Sequence, residues 1–142
     1  MSRPRGQVFA FFADAANLER LTPASMHFHI LTPLPIEMRA GAIIDYRIAL
    51  FGLPLKWRTL IEAFEPDTRF VDVQTSGPYT YWRHTHTFAD APAGGTTITD
   101  HVEYALPLGP LGRAVHAVFV GRQLRHIFDF RRDVIAQLFG DR

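Results

Sequence analysis

The sequence predicts a single α+β domain in which a curved antiparallel sheet of about six strands is covered on its inner face by one long C-terminal helix. Three observations carry this. Hydrophobic residues alternate with a period of two from Met26 to Leu106, a helical period runs from Pro110 to Phe139, and proline or glycine breaks the first region at short intervals. Short loops between consecutive strands imply a meander.

The elements follow in order. Pro4 suits a first helical turn, and Val8, Phe9 and Phe12 lie at helical spacing behind it. Asp14 reads as the N-cap of a second short helix, Ala15 to Arg20, closed by Pro23. Met26 to Thr32 reads as the first strand. In Ala42 to Leu50 the even residues Ile44, Tyr46, Ile48 and Leu50 face inward, and in Leu55 to Phe64 the odd residues Trp57, Thr59, Ile61 and Ala63 do. Arg69 to Thr75, Tyr79 to Ala89 and Thr96 to Leu106 complete the six. The final helix, about 28 residues and ~40 Å long, carries an apolar stripe through Val120, Leu124, Ile127, Phe128, Val134, Ile135 and Leu138. The segment from Leu106 to Gly112 reads as a hinge whose apolar residues could lid a cavity.

Composition bounds the function. At 142 residues, 47% hydrophobic and 20% charged, the chain buries roughly two-thirds of its unfolded surface as one domain (residues 1–142). A net charge of +1 gives no electrostatic case for a nucleic-acid partner. No apolar run approaches the ~20 residues of a membrane span, so no stable membrane insertion is expected. With neither a signal peptide nor any cysteine in the sequence, a cytoplasmic location is expected. No Gly-rich phosphate loop and no serine-nucleophile motif occurs, and no cofactor is expected.

The last hairpin is the most informative stretch. Trp82, His84, His86 and Phe88 share one face of its first strand, and Ile98, Asp100, Val102, Tyr104 and Leu106 share one face of the second. A five-residue loop from Ala91 to Gly95 pairs His86 with Asp100, His84 with Val102 and Trp82 with Tyr104, and the next permitted register pairs His84 with Asp100. Either way Asp100 faces an inward histidine.

That pair has three readings. A buried carboxylate needs a partner, and imidazole supplies one within a structural wall. Alternatively His84 or His86 is a general base oriented by Asp100, because imidazole titrates near neutral pH. Thirdly, His84, His86 and Asp100 offer two nitrogens and an oxygen to a metal. Flat sheet geometry makes convergence on one ion awkward, and no metal is expected. His27 and His29 share the His-x-His spacing but alternate with Met26, Phe28 and Ile30, which places both on the surface.

Tyr46, Trp57, Trp82 and Tyr104, inward by parity, read as core aromatics or as cavity walls that stack on a planar ligand. Arg131 falls within the helix's apolar stripe, one turn from Ile127 and Ile135. It is either a snorkelling side chain or an anchor for a ligand carboxylate or phosphate.

This element order resembles the helix-grip superfamily called SRPBCC or START-like, which includes steroidogenic-type lipid-transfer domains, birch-pollen-allergen-like proteins and polyketide cyclase/dehydrase-type domains. The resemblance spans nearly the whole chain. Its carriers are the opening Arg3-Pro4-Arg5-Gly6-Gln7-Val8-Phe9, the stretch Asn17 to Pro23, Gly41 through Tyr46 to Gly52, Trp57 to Ile61, Gly77-Pro78-Tyr79 leading to Trp82 to Phe88, and Asp100 to Tyr104. It implies a helix-grip fold enclosing a cavity for a small hydrophobic or amphipathic molecule, such as a lipid, sterol or polyketide-like compound. The ligand-binding set is then Tyr46, Trp57, Trp82, His84, His86, Asp100, Tyr104 and Arg131. The alternative is a cyclase/dehydratase-like enzyme using His84, His86 and Asp100 as an acid-base group. A third reading starts from the full strand that the superfamily places before its first helix, where this sequence offers only Met1 to Arg3. Either exposed edges pair two copies into a homodimer, or the start lies further upstream.

Overall fold

In the computed structural model, which describes residues 1–140 apart from the side chain of Ala117, helix α1 spans Arg5–Ala13 and buries Val8, Phe9 and Phe12. The Asp14 carboxylate accepts from the Ala16 N–H at 3.0 Å and caps a single 3-10 turn, Ala15–Leu18, shorter than the helix expected there. Six strands follow: β1 His29–Ile30, β2 Ile43–Leu50, β3 Leu53–Glu65, β4 Arg69–Ser76, β5 Tyr81–Asp90 and β6 Thr96–Ala105. They pair antiparallel in sequence order, the expected meander. Strand β1 is much shorter than Met26 to Thr32, because Met26 ends a second 3-10 turn and His27 takes left-handed backbone at φ 46°. His27 and His29 are exposed, as their alternation requires.

Parity holds along β2 and along β3 as far as Ile61, beyond which a register shift turns Phe64, rather than the expected Ala63, onto the core. Ile44, Ile48, Trp57, Thr59 and Ile61 are buried, and Tyr46 lies opposite Trp57 with its ring stacked at 5.8 Å. Phe51 and Gly52 join β2 to β3 with φ of 52° and 77°, the left-handed pair that a tight two-residue hairpin needs. Register shifts in β3 against β4, between Arg58 and Thr59 and between Ile61 and Ala63, bend the sheet.

Past β6, α2 (Gly109–Val115), a π-helical turn (His116–Val120) and α3 (Gly121–Phe139) form one continuous helical run. Leu108 and Leu111 are exposed and outside the internal cavity described below, so the expected lid is not built from them. At one end Phe9 packs edge-on to Phe70 and Phe88, with Val134, Ile135 and Phe139 of α3 closing over the group. That end is a solid aromatic plug. At the other end Met26, Ile48 and Trp57 meet Tyr79, Trp82 and Ile127. The histidines of β5 lie between.

Residues 1–3 run beside the start of β6. The Met1 amino group donates to the Thr96 carbonyl at 3.1 Å, Thr96 N–H donates to the Met1 carbonyl at 2.8 Å, and the Thr96 hydroxyl donates to the Arg3 carbonyl at 2.7 Å. Among the described residues no strand precedes α1, and β1 and β6 are the edges of the sheet.

Candidate functional site

The β5–β6 register pairs Trp82 with Tyr104, His84 with Val102 and His86 with Asp100. Side by side on one face of β5, the two imidazoles lie with ring centroids 3.7 Å apart. Both are buried, at 4% and 5% exposure. His86 stacks on Phe70 at 4.2 Å, and His84 meets Phe128 of α3 edge-on at 5.6 Å.

Two carboxylates hold this pair. His84 Nε2 lies 2.9 Å from Asp100 Oδ1, and His86 Nε2 lies 2.7 Å from Asp72 Oδ2. His86 Nδ1 is also 3.0 Å from Asp100 Oδ1, but its angle makes this an ion-pair contact rather than a hydrogen bond. An ionised carboxylate only accepts, so His84 donates through Nε2–H, and when neutral it keeps its lone pair on Nδ1. That nitrogen is 3.8 Å from Asp72 Oδ2.

Asp72 is the member that sequence reasoning missed. Strand β4 carries apolar groups on both faces (Phe70, Val71, Val73), so alternation did not mark an inner side. The turn at Gly77-Pro78 was the usable signal, since folding back there sets Asp72 opposite His84.

Electrostatics push the two histidines apart. Burial and the neighbouring His86 charge drive His84 down to about 4, despite its bond to Asp100. Burial also acts against the His86 cation, but contacts with Asp100 and Asp72 outweigh it and raise His86 above its ordinary value. For both carboxyls burial favours the neutral form, yet the bonds and charges of the histidines hold Asp72 and Asp100 below the usual range. Both shifts act in one direction, favouring a proton on His86 over one on His84.

Between sheet and α3 lies a cavity of about 140 Å³. Tyr46, Trp57, Trp82, Asp72, His84, His86 and Arg131 line it, together with Leu124, Ile127 and Phe128 of the helix. Asp100 is not a lining residue: it sits behind the histidines with its carboxylate 22% exposed. Nor is Tyr104, which is half-buried against Tyr79, Trp82 and His116, away from the cavity. Three buried polar atoms on lining residues have no hydrogen-bond partner among the described residues: Trp57 Nε1, Arg131 Nε and His86 Nδ1.

Donor atoms of Asp72, His84 and His86 lie within 4.8 Å of one another and could hold a metal ion. Asp72, rather than Asp100, completes that set. Two ligands at ~2.1 Å on a tetrahedral ion stand about 3.4 Å apart. The 2.7 Å between Asp72 and His86 is hydrogen-bond spacing, shorter than that.

No family model matches the chain, and no curated protein matches it. Solved structures do. Protein CV1439 from Chromobacterium violaceum superposes with a TM-score of 0.72 at 15% identity, over 100% of this chain and 93% of that one. TTHA0849 from Thermus thermophilus gives a TM-score of 0.72 at 12% identity, over 96% and 90%. Ara h 8.0201 gives 0.61 at 16% identity, over 95% and 92%. With its six-stranded antiparallel meander wrapped on a long C-terminal helix, the chain has the helix-grip fold.

Proposed function

We propose that this protein is an acid-base enzyme of the cyclase/dehydratase kind, acting on a small carbonyl compound in the cavity between sheet and helix. One observation carries the reading: two adjacent, buried histidines, each bonded to a carboxylate, line a cavity, and their surroundings shift them in opposite directions. Neutral His84 takes a proton from carbon next to the carbonyl through Nδ1, and the C–H electron pair moves into an enolate. Protonated His86 supplies a proton to that oxygen or to a departing hydroxyl, and the carboxylates stabilise whichever ring is charged. An imidazole as weakly basic as His84 draws only an activated proton, which a carbonyl neighbour provides.

The test is exchange of the methyl hydrogens of acetophenone for deuterium, followed by NMR. Exchange faster than with free imidazole, lost about 100-fold or more in His84→Ala with binding retained, is expected. Exchange at the free-imidazole rate would leave a binding module without chemistry. The cavity's size favours a ring-sized occupant over a sterol, since pockets for drug-sized ligands run to roughly 300–1,000 Å³.

The outer edge of β6 supports a second reading, in which two copies pair edge to edge. Light scattering over a wide concentration range is expected to give twice 16.1 kDa. A mass of one chain throughout would end it.

A further inference from the structure

The cavity wall carries unused donors and no unused anion. Trp57 is 6% exposed, and its indole N–H, a group that can only donate, is buried without a partner. Its ring is fixed by Tyr46 stacked at 5.8 Å and by Tyr79 and Trp82 edge-on at 5.5 and 5.3 Å, so it cannot turn away to find water. Arg131 reaches the same cavity from α3, with Cζ 5.4 Å above the Phe128 ring and a buried, unpartnered Nε–H. Leaving a buried donor unsatisfied costs about 1–3 kcal/mol. Two in one wall point to an occupant that accepts.

Charge balance narrows the occupant. The Asp72 carboxylate lines the cavity, Asp100 stands behind the histidines, and Arg131 reaches the wall from the helix. A carboxylate entering the cavity would meet the Asp72 carboxylate in the wall, whereas a neutral carbonyl can accept from the unpartnered donors without that repulsion.

We propose that the cavity is a recognition site for a neutral, flat compound of one or two rings whose carbonyl oxygens accept from Trp57 Nε1–H and Arg131 Nε–H. This deepens the acid-base reading by naming what its substrate must carry, and it rests on that reading only for the chemistry after binding. An apolar cavity of comparable volume takes up benzene, so the size fits one ring with a small substituent. On this proposal Arg131 meets a carbonyl oxygen rather than a carboxylate or phosphate.

Three probes of nearly one shape separate the cases by calorimetry: acetophenone, α-methylstyrene, which replaces the oxygen by carbon, and benzoate. Acetophenone is expected to bind roughly tenfold or more tightly than either of the others. Trp57→Phe and Arg131→Met should bring acetophenone down to the level of α-methylstyrene while leaving α-methylstyrene itself within about threefold. That unchanged arm reports that each variant keeps its cavity. Equal binding of acetophenone and α-methylstyrene, tightest binding of benzoate, or no saturable binding by any probe would each overturn the proposal. Tight acetophenone binding without deuterium exchange would sink the catalytic reading and leave this one standing.

Discussion

Asp72 and Asp100 hold two imidazoles 3.7 Å apart in a place where burial works against a proton on either ring. The sign of each shift fixes the pH response. His84 in the folded chain sits near 4, below its unfolded value near 6.5, so the unfolded state binds more protons between the two, and stability falls as pH drops through that window. His86 is raised, so its contribution is complete below about pH 6.5 and is lost as pH rises through its folded value. Stability should therefore peak near pH 6.5 in urea unfolding. Two histidine ring signals that titrate together by NMR would contradict this. Asp72→Asn removes the partner of the His86 cation and should cost roughly 2–4 kcal/mol at neutral pH. It should also flatten the alkaline limb of the curve, a change that a merely weakened core would not produce. Of this cluster, the pairing of His86 with Asp100 was legible, because a five-residue loop and alternation leave few registers. Asp72 was hidden by Val71 and Val73, which make both faces of β4 look apolar.

Among the elements, the long strands were legible because each has one covered face, and the connections less so. The strand expected from Met26 shrinks to His29–Ile30, since left-handed His27 breaks the extension. Nothing in its residue type announces that. Tyr104 was read as a cavity wall from parity alone, but alternation gives the face of a strand and not the part of the helix above it. There the π-helical turn sets His116 5.3 Å from the tyrosine ring. The turn before β6 offers a clean test of the N-terminal docking. Gly94 and Gly95 both have left-handed backbone, at φ 87° and 86°, but a Cβ on Gly94 meets open space whereas one on Gly95 would collide with the Met1 carbonyl oxygen. Gly94→Ala should cost about 1–2 kcal/mol, the backbone penalty alone. Gly95→Ala should cost that plus the Met1–Thr96 hydrogen bonds, about 1 kcal/mol each. Equal losses in the two variants would mean that residues 1–3 contribute nothing to the sheet.

For the whole molecule, the question is how a ligand reaches a cavity roofed by α3. The aromatic plug closes one end, so entry belongs to the other, where only side-chain contacts join the β2–β3 hairpin to the helix. There Phe51 and Phe119 meet edge-on at 6.2 Å, although each is more than half exposed. They flank lining residues: Leu50 precedes Phe51, and Gln123 and Leu124 follow Phe119 by about one helical turn. Phe119 lies in the π-helical turn, the segment of the helical run least regular in its hydrogen bonding. A contact so exposed adds little to stability, and the prediction is that it gates entry rather than holding the core. Phe119→Ala should then change the unfolding free energy by less than about 1 kcal/mol, because little buried area is lost. Association and dissociation of acetophenone, followed by stopped-flow quenching of the two tryptophans, should both accelerate several-fold, with Kd changed by less than about threefold. A gate alters both rates together, whereas a binding residue alters mainly dissociation. If Phe119→Ala leaves both rates unchanged, the entrance lies elsewhere along the helix, and the same measurement on Leu50→Ala and Leu124→Ala would locate it.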